Sequence, residues 1–143
     1  MKNRFTLQAG GSSVGLFTFQ AVPTQLWQAF VITLTLSTMG TYHYRAYGQT
    51  AFIHLLAASG VGAAVASGLG IQFDPTQCQS GALGISAGIT AYTCMRSLYI
   101  LRRLRFMSAP LFIGSLMYYG IHFNDHSVLG GTAGALALFF AGL

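Results

Sequence analysis

A chain of 143 residues has room for one domain, and this one is 53% hydrophobic and 6% charged, with two acidic residues, both aspartates. A soluble domain of that size covers itself with roughly 25% charged residues, so an ordinary soluble globule is excluded and the surface is expected to face lipid or apolar protein. The formal charge of +5 does not point to nucleic acid, because Arg96, Arg102, Arg103 and Arg105 cluster beside an apolar segment, where basic residues fix membrane orientation or meet anionic headgroups.

Residues 1–22 are mixed in polarity and interrupted by Gly10, Gly11, Ser12 and Ser13. They are expected to form a loop or an interfacial segment ahead of a membrane domain over 23–143. They lack the continuous apolar core of a cleaved secretory signal, and Lys2 and Arg4 without acids are compatible with mitochondrial targeting. A first spanning helix is expected from Thr24 to about Tyr42, with Trp27 at one end and Tyr42, Tyr44 and Tyr47 at the other as interfacial aromatics.

A second helix is expected from about Thr50 to Ile71, where Gly60, Ala64 and Gly68 recur every fourth residue. Lipid supplies little hydrophobic force between helices, so close approach over small side chains is what associates them. Asp74 and Pro75 then make a turn, and a third helix is expected from Ser80 to about Leu101, with Gly84 and Gly88 on one face. Cys78 and Cys94 are 16 residues apart, roughly 24 Å along a helix, which argues against a disulfide, and two cysteines make a poor metal site. The arginines at 102, 103 and 105 form the next connection. A fourth helix extends from about Phe106 to His122, with Pro110 in its first turns, and a fifth from Ser127 onward carries Gly130 and Gly134.

Five spans put Arg45, the 102–105 arginines and the C-terminus on one side, expected to be cytosol or matrix. The N-terminus, Asp74 and Asp125 lie on the other, with Ser86 about 9 Å below that outer surface.

The segments MGTYHYRAYG, FIHLLAASGVGAAVAS, ALGISAGITA and HFNDHSVLGGTAGALALFF succeed one another along the chain. In that order they resemble the second, third, fourth and sixth helices of the rhomboid family of intramembrane serine proteases. The likeness runs from about Gln25 to Leu143 and is anchored by Gly40, Gly48, Ser59-Gly60, Gly84-x-Ser86 and Leu129-Gly130-Gly131 with Gly134. It implies an all-α integral membrane protein, a truncated rhomboid-like bundle of about five transmembrane helices whose first family helix and following loop are missing.

In the family, a serine in GxSG on the fourth helix is activated by a histidine placed directly before a motif like LGG on the sixth, since an unactivated hydroxyl is a poor nucleophile. Ser86 matches the serine, but Ala87 comes next, and Val128 stands where the histidine belongs. Gln28 and Ile32 occupy the places of the histidine and asparagine that stabilise the oxyanion, each such donor being often worth ~3 kcal/mol. His126, the other vestigial candidate, is two residues from Val128 and so turned by about 200 degrees on a helix. His54 and His122 lie elsewhere, and His43 is expected on the opposite membrane face. Ser86 also has a plain packing role open to it, with its hydroxyl returned to a carbonyl one turn earlier.

The expected function is a non-catalytic structural or accessory subunit of a multi-subunit membrane complex, in the mitochondrial inner membrane, with a respiratory complex or ATP synthase as host. The alternatives are an active protease using Ser86, a pseudoprotease that holds client transmembrane helices, and, last, a transport pore, for which Arg96 and His54 are the few ionisable groups inside a span. No cofactor is expected. A phospholipid such as cardiolipin is the expected ligand, its headgroup at Arg102, Arg103 and Arg105.

Overall fold

The computed structural model describes residues 25–73, 81–100 and 108–142, and among them every regular element is helical. The elements are α1 (Leu26–Thr35), a π turn (Leu36–Gly40), α2 (Thr41–Phe73), α3 (Ala82–Ile100), α4 (Ser108–His122) and α5 (His126–Phe140). The expectations placed on residues 1–22, Asp74, Pro75, Cys78 and the arginines at 102, 103 and 105 lie outside the described residues.

The first expected helix does not stop at Tyr42. The amide of Thr41 reaches back five residues to the carbonyl of Leu36, and the helix continues through this wider turn to Tyr47. The hydroxyls of Ser37, Thr38 and Thr41 all donate to carbonyls in the preceding turn. Such bonds compete with the regular ladder and accompany π turns. The chain breaks at Gly48 instead, with φ 87° and ψ 173°, a conformation open essentially to glycine alone. Arg45 therefore sits on a helical turn rather than in a loop. Residues 49–73 then continue as helix.

α4 ends in a Schellman motif. Asn124 is left-handed at φ 51°, the amide of Asp125 donates to Gly120 O at 2.8 Å, and that of Asn124 to Ile121 O at 3.3 Å. Two residues later α5 begins. Pro110 is the third residue of α4, where its missing N–H leaves no helical bond unmade.

α5 is wedged between α2 and α3, antiparallel to the first and parallel to the second, and these are its largest contacts. A methyl group added at Gly130 would fall on the carbonyl oxygen of Gly62 and on Ala66 Cβ, and one at Gly134 on the carbonyl of Ala58. On the other side, a methyl at Gly131 would meet the carbonyl of Gly84, one at Gly84 the carbonyl of Ser127, and one at Gly88 the hydroxyl of Ser59. The backbones touch, and only glycine fits between them.

The face that α2 uses is shifted from the expected one. Gly60 and Ala64 are buried, but a methyl at Gly68 would meet nothing within 4 Å, so Gly68 makes no close contact. Gly62 and Gly70 take that role on the neighbouring row. Apolar side chains form two further buried clusters, Leu55, Ile89, Tyr92 and Ala135 in one, and Leu83, Ala87 and Val128 in the other.

By length and apolarity, one stretch among the described residues is sufficient to cross a membrane, Leu26–Phe73, while the apolar α5 is shorter at 15 residues. The five spans expected from the sequence thus correspond to five helices, of which only the first stretch, taken across the Gly48 break, has that combination of length and apolarity.

The glycine contacts predict opposite outcomes for one substitution at two places. Gly130→Ala is expected to destabilise the fold by about 1–3 kcal/mol through overpacking, whereas Gly68→Ala is expected to stabilise it by up to about 1 kcal/mol through helix propensity. Denaturant titration of both variants in detergent micelles checks the difference in sign.

Candidate functional site

Ser86 lies on the face of α3 turned out of the glycine seam and towards α1. The register of α3 decides this: Gly84 and Gly88 must meet α5 and α2, so the residue between them is turned to the side. The hydroxyl of Ser86, a residue only 4% exposed, donates to Leu83 O at 2.9 Å. One turn on, Thr90 Oγ1 donates to Ser86 O at 2.7 Å. Both hydroxyls are thus bonded within their own helix.

Beside Ser86 is a cavity of about 300 Å³. Trp27, Val31, Thr35 and Met39, on α1 and the π turn, form one wall, and Leu83, Ser86, Ala87 and Thr90 of α3 the opposite one. Leu116 and Tyr119 of α4 and Val128 of α5 close the third side. The repeat of four along the first wall makes it a single row of side chains.

Val128 therefore shares a cavity with Ser86, in the place a general base would have to take, and an isopropyl group cannot accept a proton. His126 is directed elsewhere. Its ring packs against Gly70 at the end of α2, so closely that a methyl group at Gly70 would overlap it. The structure thus does not bring Ser86 and His126 together. Gln28 is buried and Ile32 half-buried on α1, and neither lines the cavity. His54 and His122 are exposed. Among the described residues, no group of three or more histidine, cysteine or acidic side chains could hold a metal ion.

Sequence reasoning singles out Ser86 and Val128 but misses the rest of this cavity. The signal is present in the spacing of Trp27, Val31, Thr35 and Met39, which in the sequence reads only as part of an apolar span. Sequence reasoning places His43 on the opposite membrane face from Ser86 but misses its burial: it is 2% exposed, and neither ring nitrogen has a hydrogen-bond partner among the described residues. This imidazole sits among Tyr47, Phe52 and Tyr92, with ring centroids 4.9, 6.2 and 5.2 Å away. Arg96 lies over the Tyr47 ring at 4.7 Å.

At the turn between α4 and α5, Asp125 accepts a hydrogen bond from Ser127 Oγ at 2.5 Å. Burial holds the Asp125 carboxyl above its ordinary value, outweighing the Ser127 hydroxyl and the first amides of α5, which pull it down. No family model, curated protein or solved structure matches the chain.

This geometry has two expected outcomes. A fluorophosphonate probe is expected to leave Ser86 unlabelled, and Ser86→Ala to alter stability by less than about 1 kcal/mol, since the bond lost is internal to one helix; labelling that disappears in Ser86→Ala would show a working nucleophile. For Asp125 the raised value means that the folded state binds its proton more tightly than the unfolded chain. Stability is then expected to fall as pH rises from the ordinary carboxylate value through the raised one, and Asp125→Asn is expected to flatten that slope in micelle unfolding curves.

Proposed function

We propose that this chain is a non-catalytic, rhomboid-like membrane protein that serves as a structural subunit of a larger membrane assembly, with the mitochondrial inner membrane as its location. The observation that carries this reading is an inverted burial pattern. The closest contacts between α2, α3 and α5 are made by glycine, alanine and serine, while Leu26, Phe30, Val61, Val65, Tyr118 and Phe140 are all more than half exposed. A soluble monomer rarely exposes contiguous apolar surface of this kind, whereas lipid or apolar protein around the bundle would cover it without cost.

The exposed polar groups support the same reading. Thr33, Ser37, Thr38 and Thr41 are exposed on the first helical stretch, and each hydroxyl donates to a carbonyl three to five residues back. In hydrocarbon such groups need an internal partner, and these have one.

Helix lengths favour an embedded subunit over a free-standing bundle. Residues 26–47 and 49–73 are long enough to cross, but the 15 residues each of α4 and α5 extend only about 22 Å against a hydrocarbon core of about 30 Å. Short spans are accommodated by thinning the bilayer or by association with other helices. The resemblance to rhomboids supports the fold, and the cavity lined by Ser86 and Val128 supports the loss of its chemistry. The basic residues and the N-terminal composition support the mitochondrial location.

The test is extraction followed by native electrophoresis of the tagged chain. It is expected to resist alkaline carbonate and to migrate in a large assembly, with partner subunits identified by mass spectrometry of that band. Migration solely as a free monomer would overturn the assignment as a subunit.

A further inference from the structure

The cavity beside Ser86 is long and narrow. Its first wall runs from Trp27 to Met39, twelve residues or about 18 Å at the helical rise. The cavity's 300 Å³ is small against the roughly 1,400 Å³ that 18 Å of an α-helix 10–12 Å across would fill. A helix does not enter this space, but one extended hydrocarbon chain does. The length is also close to that of one leaflet, half of a hydrocarbon core of about 30 Å.

The chemistry of the walls agrees with the shape. Val31, Met39, Leu83, Ala87, Leu116 and Val128 make them predominantly apolar. The hydroxyls of Ser86 and Thr90 are already bonded within α3, so an occupant without donors or acceptors leaves neither of them unpaired. Aromatic residues with one polar end, Trp27 and Tyr119, stand at the end nearest the α4–α5 turn, where a chain leaving the slot would reach a headgroup region.

We propose that this slot holds a single lipid acyl chain of the leaflet on the Trp27 side, lying parallel to α1 and filling the space between α1, α3 and α4. The proposal rests on the membrane reading of the chain. The acyl chain completes the packing of α1, whose contact with the other helices is made mainly through α3. The same chemistry serves a phospholipid or a free fatty acid.

Native mass spectrometry of the full chain, purified in mild detergent, tests this. The wild type is expected to retain one lipid per chain, whose mass distinguishes a diacyl phospholipid from a free fatty acid; either supports the slot. Val31→Phe and Ala87→Phe narrow it from opposite walls and are expected to lower retention at least tenfold, with folding checked by circular dichroism. If Ala87→Phe fails to fold, Val31→Phe, on the peripheral and partly exposed helix, decides alone. Undiminished lipid retention in the narrowed variants, no retained lipid in the wild type, or a bound peptide in its place would each overturn the proposal while leaving the membrane reading intact. Release of the chain by alkaline carbonate would instead overturn the membrane reading, and the slot with it.

Discussion

The fold depends on the backbone of α5 touching the backbones of α2 and α3. Facing glycines make this possible, Gly62 against Gly130 and Gly84 against Gly131, with Gly88 closing on Ser59. Such contact gains dispersion energy over its whole length, and it replaces the hydrophobic force that an apolar surrounding does not supply. The seam gives up hydrogen bonds to achieve it. Ser59, Ser67 and Thr132 are fully buried in it, and their hydroxyls have no partner among the described residues. These residues are present for their size.

The same contact determines what Ser86 can do. Once Gly84 and Gly88 are committed to the seam, Ser86 is turned towards α1, and once Gly130 and Gly131 are committed, Val128 is turned towards Ser86 and His126 towards Gly70. The histidine is thus kept from the serine by the register of the whole helix rather than by a local choice of rotamer. Moving His126 into the cavity would require rotating α5 by nearly half a turn, which would drive its glycine face out of the seam. The space left beside Ser86 is apolar and narrow, and it is bounded by a helix that the seam does not hold.

Much of this is legible in the sequence, because each helix carries its own signal in apolar run length and glycine spacing. The five helices lie close to where the pattern places them, and Val128 is identifiable as the residue facing Ser86 from its position before Leu129. The small-residue face of α2 is less legible. Gly60, Ala64 and Gly68 and the row through Ser59, Gly62, Ala63, Ala66 and Gly70 have similar composition, and nothing local tells which one a partner helix will choose. The break at Gly48 falls within the expected connection, but the π turn before it is hidden, since Ser37, Thr38 and Thr41 read equally well in a regular helix. The cavity is illegible because it is defined by what three helices leave unfilled.

At the opposite end from Asp125 the bundle is held by different means. Beyond the π turn, residues 41–47 present His43 to Phe52 and Tyr92, with Tyr47 against His43, and Arg96 covers the Tyr47 ring. Aromatic and cation–π contacts of this kind contribute about 0.5–1.5 kcal/mol each, so they offset a buried imidazole with no hydrogen-bond partner among the described residues only by acting together. They also tie residues 41–47 to α3, while α1 meets α3 along one side of the slot. The first helical stretch, residues 26–47, is therefore fixed where the aromatic cluster grips its end, next to the glycine break, and its far end at Leu26, 90% exposed, depends on whatever surrounds the bundle. The glycine seam makes a rigid three-helix core, and α1 is the element whose position its surroundings complete.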